Sequence, residues 1–356
     1  MFLIQSVVLQ ICSIAINLLA GGVVFSKICG LPFFATTCVM ALIPLAYTFA
    51  TGIRSSINTD FIKMGFIAIT LIAGLPIMFT NAGTDTFMNG LGGITGEFSG
   101  LFDKAGIAVM LGFGIPSTIT LLSGTFGDQM FWQRSFCVPA DKVRRTFLLA
   151  AAIFAIVPIS LSMFGFFVAG SGIEVADKQL INVTAVLNFC PRWFLYFFFV
   201  VLLSGLISTV DSVMCAVSSI SGHDIIQRLK EKPNKGILTK ILLNNEVGTA
   251  RLAMVIITIL GICIANIPGL TITYLWLLYG TMRSSILIPT IEAIRCKKMS
   301  EKGLFYGLLF AWIIGMPIFG YGNFVGDVNL TLAGSVFTIL CAGLMAKFAW
   351  RKEAVS

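Results

Sequence analysis

The stretch LLSGLISTVDSVMCAVSSISGHD, residues 202–224, is apolar enough to lie in a membrane, yet it places Asp211 in the middle of a helix. At about 100° per residue, the polar side chains of this helix fall on one face roughly 100° wide. An ionised carboxylate at membrane depth is costly unless it is paired, hydrated or bound to an ion. The face, with Thr209 at its edge, is therefore a candidate cation site: Ser204, Ser208, Asp211, Ser212, Cys215 and Ser219.

Two other interpretations of this face remain open. Serine and threonine hydroxyls in membrane helices also donate to carbonyl oxygens one turn back and hold neighbouring helices together. If Asp211 is protonated, the coupling ion is a proton and not sodium. A carboxylate among several hydroxyls favours an ion pathway, because hard cations prefer oxygen ligands.

The composition of the 356 residues is that of a membrane protein. Hydrophobic residues make up 57% of the chain and charged residues 11%, whereas a soluble domain has about a quarter charged residues. Apolar runs of roughly 20 residues cross a hydrocarbon core as helices. The sequence predicts an all-α polytopic membrane protein with about ten transmembrane helices, at 3–26, 31–50, 59–80, 102–134, 146–170, 192–221, 249–266, 270–293, 303–321 and 328–349.

The formal net charge of +8 is distributed as in a membrane protein. Basic clusters at 134–145, 227–240 and 295–302 each follow an apolar run. With ten spans both termini lie on one side, and the loops and termini of that side hold sixteen basic residues against at most four on the other. The positive-inside rule then predicts a cell-membrane protein with both termini in the cytoplasm, and no nucleic-acid partner.

No pattern typical of an enzyme or a transition-metal site is present in the sequence. A nucleophile–base pair is absent, His223 is the only histidine, and the nine cysteines lack metal-ligand or redox spacing. Small buried hydrophobic residues are the simpler interpretation of these cysteines. We therefore expect no enzymatic activity and no cofactor, with sodium as the only metal ion.

The fourth predicted span, 102–134, is longer than one crossing needs and is rich in glycine. Glycine costs a helix interior about 1 kcal/mol relative to alanine, so the segment SGTFGDQ (123–129) is a place where the helix can open. Transporters use the backbone groups of interrupted helices to hold solutes and ions. The alternative is that the glycines permit close helix packing, but Asp128 and Gln129 beside the break favour a site.

A second carboxylate, Asp60, follows the basic loop between the second and third spans. Aspartate is common at helix N-termini, where its side chain accepts from free backbone N–H groups. By position alone, a capping role for Asp60 is favoured.

Three stretches together resemble the sodium:solute symporter family. AYTFATGIRSSINTDFIK (46–63) resembles the family's Y-T-x-x-G-G stretch followed by T-D-x-x-Q, GDQMFWQR (127–134) resembles its N/D-Q-x-x-x-Q-R motif, and LISTVDSVMCAVSSISGHDI (206–225) resembles its serine-rich helix. The order and separations agree from about residue 1 to at least 300. The stretch DQMFWQR is most similar to the branch that contains the fungal and plant urea transporters, which can use protons.

The resemblance implies the inverted-repeat fold shared by several sodium-driven transporters, in which two five-helix repeats place solute and ion near the bilayer midplane. It implies a single membrane domain over 1–349 and a cytoplasmic tail at 350–356. Within the domain, 1–80 would be a partial first repeat, 102–293 the second repeat, and 303–349 peripheral helices. The first two core helices of the family, one of them the other broken helix, would then be absent.

The resemblance also assigns candidate site residues by position. The implied cation ligands are Gly205 (through its carbonyl), Ser208, Thr209, Asp211, Ser212 and Asp60, and the implied solute-facing residues are Asp128, Gln129 and Trp132. Two positions depart from the family pattern. Thr51 replaces the first glycine of the G-G pair, and Lys63 replaces the usual glutamine and brings a cation close to Asp60.

The function expected from these observations is cation-coupled symport of a small polar solute across the bilayer by alternating access, with sodium as the expected ion. Two alternatives remain. One is a non-transporting remnant or membrane solute sensor with the same fold, and the other is a proton-coupled transporter of the urea type.

Overall fold

The computed structural model describes residues 2–97, 100, 102–175, 177–231, 242–243, 245–295 and 300–348. Parts of three regions discussed above lie outside these residues: 232–240 of the second basic cluster, 296–299 of the third, and the predicted tail 350–356. Within the described ranges every regular element is a helix and no strand occurs. The predicted all-α class is confirmed.

The α-helices follow one another with short connections. In chain order they are α1 (Phe2–Cys29), α2 (Phe33–Thr51), α3 (Ile53–Ala82), α4 (Thr84–Gly90), α5 (Lys104–Val109), α6 (Ile115–Gly127), α7 (Gln129–Phe136), α8 (Val143–Ser171), α9 (Ile181–Phe189), α10 (Arg192–Ser219), α11 (Ile226–Lys230), α12 (Glu246–Ala265), α13 (Ile272–Ser284), α14 (Leu287–Arg295), α15 (Glu301–Phe310), α16 (Met316–Val325) and α17 (Val328–Phe348). Wider π-helical turns at Met110–Gly114, Ile220–Ile225 and Ala311–Gly315 join some of them, and a short 3-10 turn at Lys178–Leu180 precedes α9.

Nine helical stretches among the described residues are long and apolar enough to cross a membrane, against about ten predicted. The difference lies at 270–293, where the predicted span is divided into α13 and α14. Pro289 has no N–H to donate to the Ser285 carbonyl, and its ring crowds that carbonyl. The helix is therefore interrupted at Ser285 and Ile286, and neither half is long enough to be counted as a span.

The predicted interruption within SGTFGDQ is confirmed. Helix α6 ends at Gly127, Asp128 has extended backbone angles (φ −108°, ψ 127°), and α7 begins at Gln129. The Asp128 carboxylate accepts the backbone N–H of Met130 at 3.0 Å. A side chain thus satisfies one of the free donors at the start of α7.

The chain forms two compact units, which we describe separately. Unit A contains Asn17–Ile107 and Phe136–Cys215, and unit B contains Met1–Ile16, Ala108–Ser135 and Ala216–Ser356. The predicted single domain and its division into repeats and peripheral helices stay predictions.

Unit A has an aromatic core made by α3, α8, α9 and α10. Phe164, Phe167, Phe194 and Phe198 are at most 1% exposed. Gly74 on α3 lies against the rings of Phe164 and Phe194, where an added Cβ would overlap them. Large rings fill the interior because a glycine on the facing helix gives them space.

Unit B packs its helices through small residues. Gly280 on α13 lies against Thr120 on α6, and Gly307 on α15 lies against the backbone of Ala342 on α17. Helices in membranes associate largely through such close backbone approach, because lipid offers no hydrophobic drive for helix association. This packing brings α6 close to α13, which matters for the charged residues described below.

A matched pair of glycines on α8 tests the packing of α4 against α8 in unit A. A Cβ at Gly170 would overlap the Thr86 carbonyl oxygen, whereas a Cβ at Gly165 on the same helix meets nothing. Gly170→Ala should destabilise the protein by about 1–3 kcal/mol through overpacking, and Gly165→Ala should be neutral or slightly stabilising. Thermal unfolding of the purified variants in detergent measures both, and equal midpoints would contradict this close contact.

Candidate functional site

Helices α2, α3 and α10 of unit A bring together a group of polar and charged side chains. We call it the Asp211 cluster, and it consists of Tyr47 on α2, Ser56, Asp60 and Lys63 on α3, and Ser208, Asp211 and Ser212 on α10. Four of the six predicted cation ligands belong to it: Asp60, Ser208, Asp211 and Ser212.

Asp211 is the centre of the cluster, and its side chain is 0% exposed. Its Oδ1 accepts from the Ser56 hydroxyl at 2.7 Å and lies 3.2 Å from the Ser212 hydroxyl. Its Oδ2 accepts from the Tyr47 hydroxyl and from the Lys63 ammonium, the latter at 3.0 Å. An ionised carboxylate has about four acceptor positions, and donors from α2 and α3 occupy three of them.

Lys63 connects the two carboxylates of the cluster. Its Nζ lies 3.0 Å from Asp211 Oδ2 and 3.7 Å from Asp60 Oδ1, and it donates to the Tyr47 hydroxyl at 3.2 Å. The side chains of Lys63 and Asp60 are only 16% and 14% exposed. Residues three apart on a helix lie on the same face, which is why one helix supplies both an acid and a base here.

Asp60 is a member of the cluster and not a helix cap. The residue at the N-cap of α3 is Gly52, and Asp60 lies two turns inside the helix. Its Oδ1 accepts from the Ser208 hydroxyl at 2.5 Å. The capping role favoured by position alone is therefore wrong, because the chain becomes helical again immediately after Gly52.

The charges of the cluster do not balance when every group has its usual ionisation. Asp60 and Asp211 contribute two negative charges, and Lys63 contributes one positive charge. One negative charge in excess within apolar helices is costly unless a further cation or a proton neutralises it. A monovalent cation or a proton at this place would neutralise the group.

Two predicted ligands, Gly205 and Thr209, lie outside the cluster. The Thr209 hydroxyl donates to the Gly205 carbonyl at 3.3 Å on an exposed part of α10. This is the hydroxyl-to-carbonyl bond one turn back that was the alternative interpretation of the polar face. Ser212 makes the same kind of bond to the Ser208 carbonyl at 2.7 Å, although it also lies 3.2 Å from Asp211 Oδ1. Both interpretations therefore apply to Ser212, and helix packing alone applies to Thr209.

Unit B contains a second buried ionic group around the interruption at Asp128. We call it the Asp128 cluster, and it consists of Gln10, Asp128, Tyr279 and Arg283. Asp128 Oδ1 accepts from Gln10 Nε2 at 3.0 Å and from Met130 N at 3.0 Å. Asp128 Oδ2 accepts from Tyr279 Oη at 2.9 Å and lies 3.2 Å from Arg283 Nη2. The predicted solute-facing carboxylate is thus the centre of an ion pair.

Aromatic rings and close packing position the Arg283 guanidinium, in addition to its ion pair with Asp128. It lies over the rings of Phe131 and Tyr279, at 5.7 and 5.3 Å from their centroids. Gly124 lies so close to the guanidinium that an added Cβ would overlap it. Arg283 Nε and Gln10 Oε1 are buried and have no hydrogen-bond partner among the described residues.

The other two predicted solute-facing residues have different surroundings. Gln129 Nε2 donates to the Ser219 hydroxyl at 2.9 Å. Trp132 is 37% exposed and its Nε1 donates to the Phe126 carbonyl at 3.0 Å. Neither belongs to the Asp128 cluster, and their role in solute binding stays a prediction.

Five members of the two clusters are not predicted as site residues from the sequence: Gln10, Tyr279, Arg283, Tyr47 and Ser56. A signal for Arg283 was present, because a cation within the apolar run 270–293 requires a counter-charge at the same depth. The glutamine at position 10 in an otherwise apolar first span was a similar signal. Tyr47 is the tyrosine of the Y-T-x-x-G-G stretch, but that motif does not place it beside Asp211. Ser56 carried no comparable signal, since only the packing of α3 places it there.

Substitution of Arg283 tests whether Asp128 depends on its ion pair. Arg283→Met leaves a fully buried carboxylate without its cation, which should destabilise the protein by about 3–5 kcal/mol. The control is Lys27→Met, which removes the exposed partner of Asp177 in a 2.7 Å pair with side chains 53% and 28% exposed and should cost less than about 1 kcal/mol. Thermal unfolding in detergent compares them, and equal losses would contradict the importance of the buried pair.

Comparison with known proteins agrees with these features. Residues 2–311 match the sodium:solute symporter family. A relative, the urea-proton symporter DUR3 of Oryza sativa subsp. japonica, is 21% identical over 373 aligned positions, which cover 92% of this chain and 51% of the relative. The chain thus spans about half the length of this relative. The similarity to a urea symporter agrees with the urea-transporter branch indicated by DQMFWQR. With its nine apolar helical stretches among the described residues, this multi-pass membrane protein belongs to the sodium:solute symporter family.

Proposed function

We propose that the protein containing this chain is a secondary symporter that couples uptake of a small polar solute to inward movement of a cation. The observation that supports this most is the Asp211 cluster, in which two carboxylates face one ammonium at 3.0 and 3.7 Å. We further propose that it acts in the cell membrane with both termini in the cytoplasm.

The excess negative charge of the cluster favours reversible binding of a cation. Without one, a negative charge remains among apolar helices, and with one, the group is neutral. A cation that stabilises one packing of α3 against α10 more than another shifts the population between conformations by its difference in affinity. Such a shift is what couples an ion gradient to movement of a solute.

We propose that the solute binds in the region of the Asp128 cluster, with Gln129 and Trp132 as further contacts. Asp128 would position Arg283 and Gln10 and not bind the solute itself, because its oxygens already have four donors. Urea and related amides offer both a carbonyl acceptor and N–H donors, which would satisfy Arg283 Nε and Gln10 Oε1 in a conformation that exposes these buried atoms. The printed name of the rice relative, a urea-proton symporter, supports urea as the first solute to test.

The experiment is uptake by the full-length protein reconstituted in liposomes. Radiolabelled urea, amino acids, sugars and carboxylates are compared, with an inward sodium or proton gradient or with neither. Gradient-driven accumulation of one of them is the expected result. Binding of a solute without accumulation would contradict symport and indicate the membrane sensor of the same fold.

Ser208→Ala tests whether the cation that drives uptake binds at the Asp211 cluster. It removes the hydroxyl that donates to Asp60 at 2.5 Å, and loss of such a charge-assisted bond should change the cation concentration for half-maximal uptake about tenfold. Ser55→Ala on α3 is the matched control, because the Ser55 hydroxyl donates to the Gly52 carbonyl at 2.8 Å, outside the cluster. An unchanged dependence on both sodium and protons in Ser208→Ala would defeat the assignment.

A further inference from the structure

We infer that the first two turns of α8 carry a binding site for one anionic phospholipid, with Arg144 and Arg145 on its phosphate and Leu148 and Leu149 along its acyl chains. We call this site the α8 groove. It lies in unit A, shares no residue with the Asp211 cluster, and does not depend on the proposed symport.

The α8 groove has a cationic end and an apolar end. It is open, encloses about 390 Å³, and is lined by Asp141, Arg144, Arg145, Leu148 and Leu149. The two leucines are 62% and 55% exposed. Each leucine follows one of the arginines by four residues, which places it on the same side of the helix one turn further along. A molecule with a charged head and apolar chains therefore matches the groove along its length.

The length of α8 places the cationic end at the level of the lipid headgroups. The helix has 29 residues, which extend about 44 Å at 1.5 Å per residue, whereas the hydrocarbon core is about 30 Å thick. Arg145 is the last charged residue before a run that stays uncharged until Glu174. The arginines thus lie where phosphates lie, and the leucines lie at the edge of the hydrocarbon.

The charge of the groove selects the headgroup. Two guanidinium groups and the Asp141 carboxylate line it, so one positive charge is in excess. The first turn of α8 contains no acidic residue that could neutralise this charge. A guanidinium presents its N–H donors in a planar fork that fits phosphate oxygens. A singly charged phospholipid such as phosphatidylglycerol balances the groove, whereas phosphatidylcholine would also bring a cation beside the arginines.

The arginines set the size of the expected selection. Each basic residue near an anionic membrane surface contributes about fivefold in affinity, so two should favour phosphatidylglycerol over phosphatidylcholine by about 25-fold. The leucines contact acyl chains, which are the same in both lipids when the chains are matched. They add affinity without selecting between the headgroups.

The simpler alternative is a diffuse attraction between anionic lipids and all basic residues on the cytoplasmic side. Under that alternative any two exposed arginines on this side contribute equally. Arg54 near the start of α3 and Arg295 at the end of α14 are exposed, are predicted on the same side, and do not line the groove. They provide a control that removes the same charge.

The first test is thermal unfolding of the purified full-length protein in a neutral detergent, with phosphatidylglycerol or phosphatidylcholine of identical chains. Wild type should unfold at a higher temperature with phosphatidylglycerol, because a ligand that binds only the folded state stabilises it. Arg144→Gln/Arg145→Gln should lose this difference, and Arg54→Gln/Arg295→Gln should keep it.

Two results of the unfolding test would overturn the site. Equal losses in the two double variants would indicate diffuse attraction. A rise with inorganic phosphate equal to that with phosphatidylglycerol would indicate a site for a free anion, with no part for the acyl chains.

The second test needs no variant and therefore decides the question if Arg144→Gln/Arg145→Gln does not fold. Wild type is reconstituted in liposomes that contain photoactivatable phosphatidylglycerol or phosphatidylcholine, and the labelled peptides are identified by mass spectrometry. Phosphatidylglycerol should label the segment 141–149 about tenfold or more above phosphatidylcholine. Equal labelling by the two lipids, or labelling confined to other segments, would contradict the inference. Neither test measures uptake, so failure of the proposed symport leaves both results readable.

Discussion

An ionised carboxylate cannot lie among apolar helices unless donors or positive charges surround it, and both units are organised around this constraint. In unit A the carboxylate of Asp211 contacts Tyr47 on one helix and Lys63 on another. In unit B the carboxylate of Asp128 contacts Tyr279 and Arg283, which lie on a helix more than a hundred residues later in the chain. The helices on either side of each carboxylate are fixed in register by these contacts, since sliding by one residue would leave a charge without a partner.

Two interruptions of the helices lie beside the ion pair of Asp128 and Arg283. Asp128 lies between α6 and α7, where extended backbone frees the Met130 N–H for its carboxylate. Arg283 lies near the end of α13, two residues before the interruption that Pro289 causes. Two π-helical turns, at Met110–Gly114 and Ala311–Gly315, come just before Pro116 and Pro317, which cannot complete the usual ladder of hydrogen bonds. Proline and glycine positions in the sequence thus decide where the backbone departs from a regular helix.

The sequence was sufficient for the class of fold, the approximate spans and the central carboxylate of each ionic cluster. Asp211 and Ser208 were identifiable from helical periodicity, and Asp128 from the glycine-rich break, because those signals are local. The partners Tyr47 and Tyr279 come from other helices, and their positions depend on packing that no short segment encodes. Asp60 shows the opposite failure, since a locally reasonable capping role was replaced by a contact with Ser208 across 148 positions of chain.

The contact between Gly124 and the Arg283 guanidinium has an evolutionary consequence. Glycine is the only residue that leaves the guanidinium its present position over the Phe131 and Tyr279 rings. A side chain at position 124 would force the guanidinium out of this position, and Asp128 would then lose its close contact with the cation. These three positions should therefore vary together among descendants of this protein.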